Sequence, residues 1–401
     1  MKNLKITVTI FSLFALALSF VLVGHINNIL PYHIEKDGSV YNNQSPVIYE
    51  NNDIIITQNQ ANFDYKKELI KGLKIIDDNG TKSIDDDIFV DVSNVKIKNQ
   101  KFETSSIKRT IFELSVNDPK IYRLKTKFTR VIEVVNYDEF LLKKGIFLNN
   151  AQIPVTEIFN IVSNHMNKKG IKKNKAIVLG VDGMRADAIA LLNEKIGIKR
   201  IAKTGGIYRA YNNGDTNYTQ ITITGPSWTS MLTGVWANVH GVVSNSTSKN
   251  ENVPTIMTTI AKNGYNTSFI ALWRPLIDYS LKGEIHSKFK PILTNSDKKS
   301  KEEVINRIES NDDFIFVVFD NVDGAGHSTA FSTGSSTYMS EIECANNYIE
   351  EILQKIENRT TYADEDWLIL STTDHGGVFN NHGGQSREES TSFIAINGAI
   401  D

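Results

Sequence analysis

Three observations predict an α/β fold for residues 175–401, with a mainly parallel sheet covered by helices on both faces. From Ala176 onward, short apolar runs alternate with helix-length amphipathic stretches, the order that yields parallel strands joined by crossover helices. The run Phe314-Ile-Phe-Val-Val-Phe319 is apolar at every position, as a strand covered on both faces requires. Acidic residues at Asp182, Asp323 and Asp374 each follow such a run within a few positions, where open α/β sheets bind their ligands.

Upstream of that region the chain changes character several times. Lys2 and Lys5 precede the uncharged stretch Ile6–Gly24, which as a helix would reach about 28 Å, close to the hydrocarbon thickness of a bilayer. Residues 1–25 are therefore expected to be a membrane anchor or a signal peptide. The only Ala-x-Ala site within residues 1–25, Ala15-Leu-Ala17, sits inside the apolar run, which favours an uncleaved anchor. The flanking lysines place the N-terminus on the cytoplasmic side and the rest of the chain outside the membrane. Residues 26–65, rich in Asn, Gln and Asp and lacking periodicity, read as a spacer.

Residues 66–136 alternate Ile, Val and Phe with polar positions, as at Phe112, Leu114 and Val116, between turn signals at Asn79-Gly80 and Asn117-Asp-Pro119. A small all-β module is expected there. Leu73–Gly80, Val90–Val95 and Thr129–Val134 resemble the immunoglobulin-like surface modules of bacterial cell-wall proteins, which implies a bacterial surface location. Asp85-Asp86-Asp87 reads as a solvated acidic turn, since the spacing of a calcium loop is absent. Residues 137–174 are expected to form a linker with one helix, Val155–Met166, ending in the basic run Lys168–Lys175. Within the α/β region the pattern predicts strands at 176–181, 267–272, 314–319, 367–370 and 392–396. Helices are expected at 185–202, 226–232, 255–262, 301–309 and 340–357.

Composition excludes several classes. An apolar fraction of 40% with 22% charged residues describes a folded protein, and a net charge of -2 argues against a nucleic-acid-coating surface. Cys344 is the only cysteine, so an intrachain disulfide and Cys-x-x-Cys metal sites are ruled out. Any metal here must take O and N ligands.

Asp182, Asp323-Gly-Ala-Gly-His327, Asp374-His375 and His382 supply the residue types needed to hold two divalent cations. A lone Asp after a strand is commonly a helix cap or turn residue, but three such acids accompanied by histidines are not explained that way. Gly324, Gly326, Gly376, Gly377, Gly383 and Gly384 would let the backbone take positive φ and close around a compact centre. Thr224-Gly-Pro226 places a hydroxyl at a helix start, where metal coordination and the helix N-terminus would favour attack on phosphorus. Thr222, expected in the incoming strand, and Ser227, inside the helix, compete with Thr224 for that role. His240 and Trp228 are read as packing residues. The chemistry implied is a two-metal hydrolase of phosphate esters.

Val181-Asp-Gly-Met184, Thr224–Asn245, Asp323-x-x-x-His327, Thr373-Asp-His-Gly376 and Asn381-His-Gly383, in this order, resemble the alkaline phosphatase superfamily, and within it the type I phosphodiesterase/nucleotide pyrophosphatase group. The resemblance implies an alkaline phosphatase-like sandwich over residues 175–401. It also implies one zinc ion held by Asp323, His327 and His382, and a second held by Asp182, Thr224, Asp374 and His375. Asn245 would hydrogen-bond a phosphoryl oxygen. Trp228 stands where sulfatases of the superfamily carry Arg, and Thr224 where they need Cys or Ser, which argues against a formylglycine sulfatase. The chain stops at Asp401 where the family usually runs further, so either the C-terminal cap is short or the sequence is a fragment.

The expected activity is hydrolysis of phosphodiester or pyrophosphate bonds in a nucleotide-like small molecule through a phospho-threonine. The alternatives are a phosphomonoesterase or phosphoryl-group transferase, which would need extra positive charge for which Arg274 is the one candidate, and a non-enzymatic surface adhesin, which would lack a ligand. The expected location is the cell membrane with an extracellular catalytic domain, or the medium if the N-terminal segment is cleaved. No protein partner can be inferred from the sequence.

Overall fold

The computed structural model describes residues 32–34, 40–42, 47–49, 52–77, 88–89, 91–116, 126–149 and 151–400. The Ile6–Gly24 segment and the Asp85–Asp87 turn lie outside the described residues. Among the described residues no helix is long and apolar enough to cross a membrane. The chain divides into two compact units, residues 1–58 with 63–135, and residues 59–62 with 136–401.

The strands of the first unit are β1 (Tyr32–Ile34), β2 (Val40–Asn42), β3 (Val47–Tyr49), β4 (Ile54–Thr57), β5 (Lys74–Asp77), β6 (Ile88–Phe89), β7 (Val95–Ile97), β8 (Lys108–Val116) and β9 (Thr126–Val135). β1 pairs with β2, a second sheet runs β3-β5-β6, and a third runs β4-β9-β8-β7. Its core joins Ile56, Leu69, Leu73, Phe112, Leu114, Ile132 and Val134. Two expectations are corrected here. Residues 26–65 are not merely a spacer, because the β-branched run Ile54-Ile-Ile-Thr57 is a strand paired in parallel with β9. The module is also not all-β. Asp64 Oδ1 accepts the Lys66 and Lys67 N–H groups and starts a helix, Tyr65–Ile70. The buried Arg130 guanidinium donates to the carbonyls of Glu68, Leu69 and Lys71 at 3.4, 3.0 and 2.9 Å and so satisfies that helix's C-terminal end.

The second unit is built on an eight-stranded sheet of β10 (Gln152–Pro154), β11 (Lys173–Val181), β12 (Gly206–Tyr211), β13 (Thr267–Ala271), β14 (Phe289–Leu293), β15 (Phe314–Phe319), β16 (Glu365–Thr372) and β17 (Thr391–Ile396). The order is β10-β12-β17-β16-β11-β15-β13-β14, parallel except for β17, which runs antiparallel to both neighbours. The central strands alternate between two buried faces. Val178, Phe314, Phe316 and Val318 join one cluster with Trp228, Met231 and Ile260, while Phe319 meets Tyr348 of the Ser336–Glu357 helix on the other face. Helices therefore cover both sides, as the uniformly apolar β15 requires.

The region 137–174 is not a linker. Its strand β10 forms an edge of the main sheet, and its helix Glu157–Asn167 packs Val162 and Met166 into the core. The helix expected over 185–202 is broken into a 3-10 turn, Ala186–Leu191, and a short helix, Gly197–Ile201. Gly197 at φ 58° and its N–H bond to Glu350 force the interruption. Edge strands β10 and β14 escaped the sequence pattern because each is short and carries a proline, tolerated where the missing N–H faces no partner strand.

Candidate metal centre

Three adjacent parallel strands deliver the acids. Asp182 directly follows β11, Asp374 stands two positions after β16, and Asp323 lies just beyond β15 on a helix, Asn321–Ser328. The expected helices do not include this last segment. As a helix it places Asp323 and His327 at i and i+4 on one face, with Asp323 Oδ2 3.3 Å from His327 Nε2. The helix start is held by Asp297, whose carboxylate accepts the Asp320 and Asn321 N–H groups at 2.9 Å each. Burial raises the Asp297 carboxyl to about 6.

All seven residues implied as ligands converge. His382 Nε2 lies 3.5 Å from Asp323 Oδ1 and 3.0 Å from His327 Nε2. His375 Nε2 lies 3.2 Å from Asp374 Oδ2, 3.6 Å from Asp182 Oδ1 and 3.4 Å from Thr224 Oγ1. The tightest groupings are Asp323 with His375 and His382, and Asp182 with Asp374 and His375, each within 4.8 Å. His375 thus borders both groups, and His327 approaches through Asp323 and His382.

The donor set fits two divalent cations on an observation of its own. Asp182 Oδ1, Asp323 Oδ1 and Asp374 Oδ2 are buried without any hydrogen-bond partner, and they are oxygens that face the imidazoles. Each imidazole turns Nδ1 to a main-chain carbonyl: His327 to Asn380 at 2.9 Å, His382 to Thr222 at 3.1 Å and His375 to Gly376 at 2.9 Å. Nδ1 must therefore carry the proton, which leaves every Nε2 a bare lone pair aimed at the acids. Electron-rich atoms converging with only the Thr224 hydroxyl as a donor among them are what a cation site requires.

The electrostatics agree. Burial, followed by the charges of Asp374 and Asp323, holds the Asp182 carboxyl well above the usual carboxylate range, and burial does the same for Asp374. Asp323 is raised to about 6 by burial, as is Asp320 by burial and then Asp323. Burial pushes His375 well below the ordinary imidazole value and His382 down to about 4. Acids short of positive charge beside imidazoles that shed protons define a cavity in which a cation replaces protons.

Thr224 opens the helix Thr224–Thr233. Asn245 Oδ1 accepts the Gly225 N–H at 2.8 Å, which fixes the amide so that its NH2 group remains to donate at the same helix end. Of the competitors, Ser227 is fully buried with an unpartnered Oγ. Thr222 lies outside any strand and commits its hydroxyl to the Gly384 carbonyl at 2.8 Å.

The glycine expectation holds only in part. Of the six, only Gly383 takes a positive φ, at 112°. Gly326 and Gly377 are required because a Cβ at either would overlap the Phe331 ring, whose centroid lies 5.2 Å from that of His327 and 5.7 Å from that of His382 in edge-to-face contacts.

Several supporting residues were missed by the sequence reading. Trp228, taken as packing, donates its indole N–H to Asp182 Oδ2 at 2.8 Å. Its place one turn after Thr224 on the same helix was the available signal. Asn212 donates its amide to the Asp374 carbonyl. Glu389 accepts the Gly384 N–H at 2.7 Å and forms a capping box with Ser386, tying down the turn after His382. Arg185 pairs with Asp187 and reaches the Phe331 carbonyl at 2.9 Å. His240 matches its reading as a packing residue. It accepts the Val242 N–H at Nδ1 and meets Ser230 Oγ at 3.0 Å inside the fold.

Residues 176–386 match the family model described as type I phosphodiesterase / nucleotide pyrophosphatase. Solved structures similar to the chain at low identity include three of different activity. A 2-O GAG sulfatase matches with a TM-score of 0.43 and 16% identity over 57% of this chain and 64% of that one. Murine ectonucleotide pyrophosphatase / phosphodiesterase 5, an inactive form in complex with AMP, matches at 0.39 and 19% over 51% and 57%. Phosphonoacetate hydrolase from Sinorhizobium meliloti in complex with phosphonoformate matches at 0.38 and 17% over 51% and 57%. The chain spans less than two thirds of the length of these structures. No curated protein matches the chain.

Proposed function

The chain belongs to the type I phosphodiesterase/nucleotide pyrophosphatase family, and from that premise we propose that it hydrolyses phosphodiester or pyrophosphate bonds with two divalent cations and Thr224 as nucleophile. The observation that carries this reading is the position of Thr224 Oγ1 at a helix N-terminus, 3.4 Å from His375 Nε2, beside three buried carboxylate oxygens without partners. Asp323, His327 and His382 would hold one cation, and Asp182, Thr224, Asp374 and His375 the other. When bound, the pair supplies Lewis acidity at the attacking and leaving oxygens.

The side chains do the remaining work. Thr224 Oγ1 gives up its proton to solvent and attacks phosphorus in line, and the bond to the leaving oxygen breaks as the threonine ester forms, that oxygen taking up a proton from water. The Asn245 amide donates to a phosphoryl oxygen and strengthens that bond as charge develops. Water then cleaves the threonine ester and restores the hydroxyl. Zinc is the cation favoured. Asp182 and Asp374 each have one oxygen committed, to Trp228 and to the Gly183 N–H, so each offers a single oxygen beside an imidazole, a donor set suited to four-coordinate binding.

The monoesterase alternative gains nothing from Arg274, whose exposed guanidinium sits 4.0 Å from Asp278. The adhesin alternative is opposed by the convergence of all seven ligand positions. Placement outside the membrane, behind the Ile6–Gly24 segment, is part of the proposal and rests on the sequence alone. Acid-quenched turnover of an aryl phosphodiester, followed by peptide mapping, tests the mechanism. A phosphoryl adduct on Thr224 is expected, and an adduct on Ser227 would overturn the assignment.

A further inference from the structure

Trp228 occupies a position from which its ring cannot swing. It is fully buried, stands edge-on to Phe316 at 5.9 Å and 86°, and presses on Gly180 of β11, where a Cβ would overlap the ring. Its indole N–H is thereby held on Asp182 Oδ2 at 2.8 Å. The other oxygen, Oδ1, has no hydrogen-bond partner and faces His375 Nε2 at 3.6 Å. On the opposite acid the same division is made by main chain, since the Gly183 N–H occupies Asp374 Oδ1 and Oδ2 is left bare.

A carboxylate with one oxygen held by a donor binds a cation through the other. Small tetrahedral ions such as Zn2+ accept that arrangement, whereas larger oxygen-seeking ions gain from a carboxylate that closes on them with both oxygens. Of the two donors that impose it here, only Trp228 acts through its side chain.

We infer that Trp228 is a positioning residue that holds Asp182 to one available oxygen, and so sets both the affinity and the metal preference of the Asp182–Asp374–His375 side of the centre. The inference rests on the reading of Asp182 as a metal ligand proposed above.

The test is calorimetric titration of the metal-stripped full chain with Zn2+ and, separately, Mn2+. It compares the unaltered protein with Trp228→Phe and with 3-benzothienylalanine at position 228, which keeps the ring volume and removes only the N–H. Asp182→Ala identifies which isotherm belongs to this side. Loss of an outer hydrogen bond to a ligand costs about 10- to 100-fold in affinity, so one of the two Zn2+ sites should weaken by that factor while the other stays within about twofold. The ratio of Zn2+ to Mn2+ affinity at the weakened site should fall. Unchanged affinities and ratio in either folded variant would overturn the inference and leave the metal reading standing. An unaltered protein that binds no ion at Asp182 would overturn both. Should Trp228→Phe fail to fold, the benzothienylalanine protein decides the question.

Discussion

His327 Nε2 stands 3.0 Å from His382 Nε2, and each ring donates through Nδ1 to a main-chain carbonyl, of Asn380 and Thr222 respectively. Two lone pairs thus face each other beside Asp323, an arrangement that repels unless a cation lies between them. Cations that bind only the folded chain must stabilise it, by about 4 kcal/mol at a free concentration 1,000 times the dissociation constant. Removing metal with a chelator should lower Tm, and returning Zn2+ should restore it. Scanning calorimetry with and without chelator checks this, and an unchanged Tm would contradict it.

Thr224→Ala should abolish turnover yet keep both ions, since the Thr224 oxygen is one of several donors around His375. Metal stoichiometry measured beside activity separates the two effects. Ions lost together with activity would make Thr224 chiefly a ligand, and substantial activity retained would move attention to Ser227.

Asn245→Ala removes the amide that sits at the start of the Thr224–Thr233 helix. Deleting one donor to a developing oxyanion costs about 2 to 4 kcal/mol, so kcat/KM should fall by about 30- to 1,000-fold. The loss should appear mainly in kcat. An equal rise in KM with kcat intact would mean that the amide binds ground state and transition state alike.

The sequence made the cluster of acids and histidines legible because such residues at strand ends come together whatever the loops between them do. Asp182, Asp323 and Asp374 needed only the positions of β11, β15 and β16, whose apolar runs are unambiguous. Less visible was everything held by hydrogen bonds across the fold. Trp228 reads as an apolar helix residue until Asp182 is seen beneath it, and Glu389 as a surface acid until its bonds to Gly384 and Ser386 are seen. The short helix Asn321–Ser328 was hidden by Gly324 and Gly326, which lower helix propensity but are demanded here at Gly326 by the Phe331 ring. Strands β10, β12 and β14 lack the full apolarity of the centre, as strands nearer a sheet's edge do.

His240 gives a pH dependence of definite sign. Burial lowers it to about 3, from an ordinary value of 6.5. Above pH 6.5 neither folded nor unfolded chain protonates it, and its neutral contacts with Ser230 and Val242 are intact. Below 6.5 the unfolded chain takes up a proton that the folded chain refuses, so stability falls by up to about 1.4 kcal/mol per pH unit until pH approaches 3. Asp297, raised to about 6, acts in the opposite sense between about pH 4 and 6, because the folded state there holds the extra proton. Urea unfolding of the metal-free protein and of His240→Gln at pH 7 and 5 isolates the histidine. The difference between the two proteins should shrink at pH 5, and a constant difference would contradict the assignment.

The central claim is that this centre acts on phosphodiesters. A diester presents one negative charge where a monoester presents close to two, and a site of two divalent cations with the neutral Asn245 amide is matched to the former. The direct measurement is kcat/KM for an aryl phosphodiester and the corresponding monoester, taken on the same two-metal preparation of the full chain. Faster diester hydrolysis is the predicted result; faster monoester hydrolysis would contradict the account and make the protein a phosphatase.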